Sequence, residues 1–142
     1  MIKLEALIEW YSTLTPATIP RLREIYHEQA RFRDPFNDVK GHAAIGAIFR
    51  HMFVTTEQPR FRIREIQQEA GIAWVSWVFD FHLYTKAASI EGVTRLEFAS
   101  DGRVLDHRDY WDALDLFVEV PLLGRIVRFL RNRLRSRDPC KE

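Results

Sequence analysis

The stretch AWVSWVFDFHL, residues 73–83, places Ala73, Val75, Trp77, Phe79, Phe81 and Leu83 on alternate positions. Strict period-2 apolar spacing is the pattern of a long, half-buried β-strand, because successive side chains leave a strand on opposite faces. The intervening Asp80 and His82 then face away from the apolar set. The same period continues outward in both directions. Upstream, Phe61 and Ile63 alternate with arginines; downstream, Ile90, Thr94, Leu96 and Phe98 alternate over 89–99. Asp101-Gly102 is a hairpin turn signal, and 103–112 reads as a further strand.

Before residue 60 the period is helical. Ile2, Leu4, Leu7, Ile8 and Tyr11 mark a first helix over 2–13. Thr15-Pro16 predicts the start of a second, running to about Ala30 with Leu22, Ile25 and Tyr26 on its inner face. Residues 31–40 are turn-rich, and Gly41 opens a third helix through Ile45, Ile48, Phe49 and Met52, ending before Pro59. Helices followed by a strand meander predict an α+β domain, with the helices packed on one face of a bent sheet. Over 114–135, Leu123, Ile126, Val127, Leu130 and Leu134 make an apolar stripe on an arginine-rich helix. The expected division is a domain of residues 1–116 and a basic amphipathic helix and tail of 117–142.

At 142 residues, 46% hydrophobic and 29% charged, the chain suits one soluble domain. Its net charge of +1 gives no argument for a nucleic-acid partner. No apolar run approaches the ~20 residues of a membrane span, and charges interrupt the N-terminal segment where a signal peptide would be apolar. Cys140 is the only cysteine, so no intrachain disulfide forms. Together these features point to the cytoplasm. The five histidines lack paired-ligand spacing, so no metal site is expected.

Three stretches sharpen the fold. LIEWYSTL (7–14), ARFRDPF (30–36) and EGVTRLEFASDGRV (91–104) running into HRDYWD (107–112) together resemble the SnoaL-like and ketosteroid-isomerase-like members of the nuclear transport factor 2-like superfamily. The resemblance implies a cone: three N-terminal helices on a curved, mainly antiparallel sheet, plus a C-terminal helix. It implies a pocket for a small apolar ligand, no cofactor, and a homodimer formed through outward sheet faces. On the second strand that outward face carries Trp74, Val78 and Tyr84. The superfamily includes isomerases, polyketide cyclases, hydrolases and non-catalytic binding or dimerisation modules, so fold alone does not choose a reaction.

Carried over residue by residue, Asp34 lies where ketosteroid isomerase has its base, and Tyr11 lies near the oxyanion tyrosine. Thr94 stands where that enzyme has a protonated aspartic acid, and Trp111 matches a pocket tryptophan. Against limonene-1,2-epoxide hydrolase, Asp109 and Asp80 match the two catalytic aspartates, but Val78 stands where an arginine is expected. The residues themselves support two acid–base candidates. Asp34, between Phe32 and Phe36, is a carboxylate open to partial desolvation, or else a turn-forming Asp-Pro. His107 and Asp109, at i and i+2, share a strand face with Leu105 and Trp111; a carboxylate there orients an imidazole, or else makes a structural ion pair. Trp77, Phe79, Phe81, Thr94, Phe36 and Trp111 are the candidate ligand-binding side chains. The arginine-rich helix is read as lying over the body with its arginines in solvent, the alternative being contact with a membrane surface.

Overall fold

The computed structural model describes residues 4–136. Its elements are α1 (Leu4–Ser12), a 3-10 helix (Pro16–Arg21), α2 (Leu22–Ile25), β1 (Tyr26–Arg33), β2 (Asp38–Lys40), α3 (His42–Thr55), β3 (Glu57–Glu69), β4 (Ile72–Leu83), β5 (Lys86–Phe98), β6 (Val104–Trp111), α4 (Ala113–Phe117) and α5 (Leu123–Leu134). The chain divides into two compact units, 1–111 and 112–142. The fold is α+β, with one six-stranded sheet in the order β2-β1-β6-β5-β4-β3.

The meander β3 to β6 forms as the alternation requires, each strand antiparallel to the next. On β4, Ala73, Val75, Trp77 and Phe81 are buried. This apolar face meets α1 and α3, whose Leu7, Trp10, Ile45 and Phe49 recur at helical spacing and join one core cluster. Trp10 donates its indole N–H to the Thr18 carbonyl at 2.9 Å, tying α1 to the 3-10 helix. Thr18 Oγ1 in turn accepts from the Thr15 amide at 2.9 Å, closing the start signal read at Thr15-Pro16.

The second helix is much shorter than its pattern predicts. Helical structure ends at Ile25, and Tyr26–Arg33 is a strand instead, paired parallel to β6. Tyr26, Ala30 and Phe32 share one parity and turn inward, but exposed Glu28 interrupts the set and masks the period-2 signal, and the pairing to β6 shifts register between Tyr26 and Arg31. A second shift, between Glu97 and Phe98, sets Phe98 opposite Val104. Val104 therefore joins the core on the His107 side in place of Leu105. Val78, expected on the outward face with Trp74 and Tyr84, is buried, while Trp74 and Tyr84 are exposed.

Gly92 positions the inner face. It lies opposite Trp77 on β4 and Trp111 on β6. A Cβ at Gly92 would lie 2.4 Å from the Trp77 ring, so only glycine lets the indole lie flat across β5.

In the second unit, Asp112 caps α4 by accepting from the Leu114 amide at 2.9 Å. Arg131 of α5 reaches Asp115 at 2.8 Å and Asp112 at 3.6 Å. Gly124 sits against the Val118 carbonyl. Of the expected packing stripe, only Val127 is buried; Leu123, Ile126 and Leu130 are exposed.

Candidate functional site

The inner face carries an unbroken hydrogen-bonded chain across β4, β5 and β6. Trp77, lying over Gly92, donates its indole N–H to Thr94 Oγ1 at 2.7 Å. Thr94 donates to Asp109 Oδ1 at 2.5 Å, and the same oxygen meets His107 Nε2 at 2.7 Å. His107 Nδ1 then meets the Tyr26 hydroxyl at 2.8 Å and the Tyr11 hydroxyl at 3.1 Å, while the two hydroxyls bond each other. Strand parity explains the assembly. Thr94 pairs with Asp109 across β5 and β6, and His107 follows on the same face two residues away.

Burial grades along this chain. Tyr26 and His107 are almost wholly enclosed at 0% and 1% exposure, whereas the Asp109 side chain is 17% exposed and Tyr11 is partly exposed. Phe32 stacks on His107 at 4.4 Å between ring centres. Tyr11 packs edge-on against Phe49 and Phe61, and Phe61 continues into Trp77, Phe79 and Phe81 as an aromatic wall. In this setting burial, reinforced by Tyr26 and the Asp109 charge, pushes the Tyr11 phenol well above its ordinary 10.0. Burial also raises the Tyr26 phenol, against a smaller opposing effect of its bond to Tyr11. Both remain protonated donors at neutral pH.

The carboxylate sets the direction of the bonds. Ionised Asp109 only accepts, so Thr94 and His107 Nε2 both donate to Oδ1. Neutral His107 then accepts at Nδ1 from Tyr26, and Tyr26 accepts from Tyr11. Tyr11, the partly exposed member of the phenol pair, can also rotate its O–H away from Tyr26. Among the described residues Asp109 Oδ2 has no protein partner, leaving one oxygen of an oriented carboxylate available. Such an arrangement can accept a proton at Asp109 Oδ2 and offer a hydrogen bond from the Tyr11 hydroxyl.

The other expected site residues fall apart into two groups. Asp34, just beyond β1, builds a turn: its Oδ1 accepts from the Phe36 amide at 2.7 Å, the Asn37 amide at 2.7 Å and Asn37 Nδ2 at 3.0 Å. No hydrogen bond joins it to His107 or Asp109 among the described residues. Phe36 and Trp111 meet edge-on at 5.5 Å beside this turn, with Phe36 55% exposed. Asp80 faces outward, as its parity requires, ion-paired to Arg62 and accepting from Ser89 Oγ at 2.6 Å. The Arg62 bond is the main cause of its lowered pKa. The two aspartates matched to the epoxide hydrolase thus lie on opposite sheet faces. Tyr26 is the member sequence reasoning missed as a site residue, because its spacing with Leu22 and Ile25 assigned it to a helix core. Among the described residues no group of His, Cys, Asp or Glu is placed to hold a metal ion.

Residues 7–107 match the model of the SnoaL-like domain. A comparison with curated proteins gives no match. Similar solved structures include a ketosteroid isomerase-like fold from Catenulispora acidiphila DSM 44928 in complex with trimethylamine, with TM-score 0.73 and 12% identity over 83% of this chain and 93% of that one. A protein assigned as a SnoaL-like polyketide cyclase from Jannaschia sp. CCS1 gives TM-score 0.73 and 16% identity over 84% and 91%. An LEH-like epoxide hydrolase from M. tuberculosis gives 0.67 and 16% over 91% and 95%. At these identities the likeness establishes the fold.

Proposed function

Since the chain belongs to the SnoaL-like domain family, we propose that it binds a small, largely apolar ligand bearing a hydroxyl or carbonyl oxygen and moves a proton on it without a cofactor. The observation that carries this reading is the Trp77–Thr94–Asp109–His107–Tyr26–Tyr11 chain with Asp109 Oδ2 unpartnered. Asp109, rather than Asp34, is the base. Two donors hold its Oδ1 so that Oδ2 faces a ligand C–H or a water. Tyr11 is the group that meets the ligand oxygen. Asp109 Oδ2 takes the proton from the ligand carbon and returns it to a second carbon, while the Tyr11 hydroxyl turns from Tyr26 to donate a hydrogen bond to the ligand oxygen and keeps its own proton, so one cycle leaves the chain as it began. The aromatic wall of Phe61, Trp77, Phe79 and Phe81 supplies apolar contact. Solved relatives in complex with trimethylamine and with polyporic acid support small-molecule binding in such a fold.

The test is exchange of enolisable protons in deuterated water across a panel of cyclic ketones, with epoxide opening as a parallel assay. Turnover of one panel member by the wild type, reduced by about 100-fold or more in Asp109→Asn, is the expected result. Turnover that survives Asp109→Asn but disappears in Asp34→Asn assigns the base to Asp34 and overturns this assignment. Tight binding of a co-purified molecule, seen by native mass spectrometry, with no turnover of any panel member identifies a non-catalytic binding module.

A further inference from the structure

The second unit presents a surface that the ligand site does not use. Residues 121–136 contain five arginines and no acidic residue. Within α5, Leu134 is 85% exposed, Phe129 60%, Ile126 56% and Leu130 51%. At 3.6 residues per turn these four and Leu123 fall within an arc of about 140°. Arg125 borders that arc, and Arg128 and Arg131 lie on the opposite side. Arg133 lies within it near the C-terminal end, long enough to carry its head to the polar side; its guanidinium already lies 5.9 Å over the Phe129 ring. The buried side is turned another way, where Val127 and Gly124 are enclosed and Arg131 is held by Asp115. The exposed apolar arc is therefore not the face that holds α5 in its own unit.

A short helix with leucine, isoleucine and phenylalanine on one side and only positive charge on the other has the makeup of a helix that lies in a membrane interface. Its 12 residues span about 18 Å, against about 30 Å for a hydrocarbon core, so it lies on a bilayer and does not cross one. No helix among the described residues is long and apolar enough to cross. We propose that α5 docks the protein on an anionic phospholipid surface, sinking Ile126, Phe129, Leu130 and Leu134 between acyl chains while the arginines meet lipid phosphates. Charge complementarity selects this occupant: Arg131 already has Asp112 and Asp115, but a purely apolar protein groove would leave Arg125, Arg133 and Arg135 without counterions, whereas a layer of anionic headgroups supplies them.

Co-sedimentation of the full chain with mixed phosphatidylglycerol–phosphatidylcholine vesicles and with pure phosphatidylcholine vesicles tests this. The expected result is binding to the anionic vesicles that weakens with added salt, and little to the neutral ones. Arg125→Glu with Arg133→Glu weakens it by about tenfold or more, given the contribution of each basic residue near an anionic surface. Ile126→Ser with Leu130→Ser weakens it comparably, with the melting temperature unchanged because these side chains are already in solvent. Absence of binding to the anionic vesicles overturns the proposal, as does binding indifferent to both pairs of substitutions. Conversion of a dimer to a monomer by Ile126→Ser and Leu130→Ser, with no vesicle binding in the wild type, shows that a second copy covers the helix. A lower melting temperature with unchanged vesicle binding shows that the chain itself does.

Discussion

The two faces of one sheet are both rich in polar bonds, yet their bonds do different things. Outside, Arg62 pairs with Asp80, Arg64 with Glu91, and Arg33 and Arg95 with Asp106. Inside, Trp77, Thr94, Asp109, His107, Tyr26 and Tyr11 form one chain. Most outer groups keep access to water, which replaces a lost partner and screens the pair. The buried inner groups have no such substitute, so each deletion leaves a donor or acceptor unsatisfied. A residue's surroundings therefore follow from its strand parity more than from its type: Asp80 on β4 and Asp109 on β6 are both aspartates of this meander, and only Asp109 belongs to the buried chain.

The sharpest way to break that contrast is to neutralise both aspartates separately. Asn at 109 can still accept from Thr94 and His107 through its carbonyl oxygen, so the chain keeps its shape while its base is lost. Turnover is expected to fall by about 10²–10⁴-fold, the usual contribution of a positioned acid–base group. Asp80→Asn should leave turnover unchanged. Comparable losses in both variants, measured as kcat/KM on the same substrate, would remove the distinction between the faces.

Next in size is Gly92→Ala. The added Cβ would lie 2.4 Å from the Trp77 ring, and the indole must swing off β5 and release Thr94. Overpacking of this kind costs about 1–3 kcal/mol, read by urea denaturation. Trp77→Phe in the same chain should recover part of the loss, a coupling that a double-mutant cycle isolates. Additive effects would show that the close approach of Gly92 and Trp77 is not what ties them.

These residues also show how far the sequence was readable. The period-2 run at 73–83 fixed β4 and the outward direction of Asp80, and parity alone brought His107 and Asp109 together. Val104 escaped because a register shift breaks the alternation that parity reasoning depends on, and Tyr26 escaped because polar Glu28 separates it from Ala30 and Phe32 on the same face. The segment before Arg31 carried a helical spacing at Leu22, Ile25 and Tyr26 that only α2 realises, so β1 and its parallel pairing with β6 stayed hidden. The Trp77–Thr94 bond depends on the open space over Gly92, a three-dimensional fact with no local pattern. Asp34 was favoured by its Asp-Pro-Phe context, and that same context makes a turn whose amides occupy its carboxylate.

Alkaline titration sharpens the contrast by a smaller amount. In the unfolded chain Tyr11 and Tyr26 release their protons near 10.0; in the folded one burial holds both higher. Below about pH 10 the two states bind these protons equally, and their contribution to stability is whole. Above it the unfolded state loses protons first, so stability falls as pH rises towards the folded values. Phenolate absorbance and near-ultraviolet circular dichroism should therefore change together for this pair. Tyr11→Phe with Tyr26→Phe should flatten the slope. Phenolate assigned to Tyr11 or Tyr26 at ordinary pH in a still-folded protein would show that the enclosed end of the chain is open to water.

The smallest expected effect is the most discriminating one. Asp34→Asn should change almost nothing if Asp34 is a turn residue. An asparagine carbonyl accepts the same two backbone amides, those of Phe36 and Asn37, and tolerates the same turn conformation. What it loses is the second contact to Asn37 Nδ2, at 3.0 Å on Oδ2, because an amide nitrogen cannot accept from another. A hydrogen bond to a carboxylate is worth up to about 1.5–3 kcal/mol, and less at a partly exposed turn where water replaces it, so the melting curve shifts slightly and turnover stays within a few-fold. A base in the same position would behave in the opposite way. Its charge, not its acceptor geometry, is what the substitution removes, so turnover would disappear while the fold stayed intact. Stability and rate thus move in opposite proportions under the two roles. Measuring both on this single variant decides whether the ligand's proton goes to the turn beside Phe36 and Trp111 or to the carboxylate that His107 and Thr94 hold.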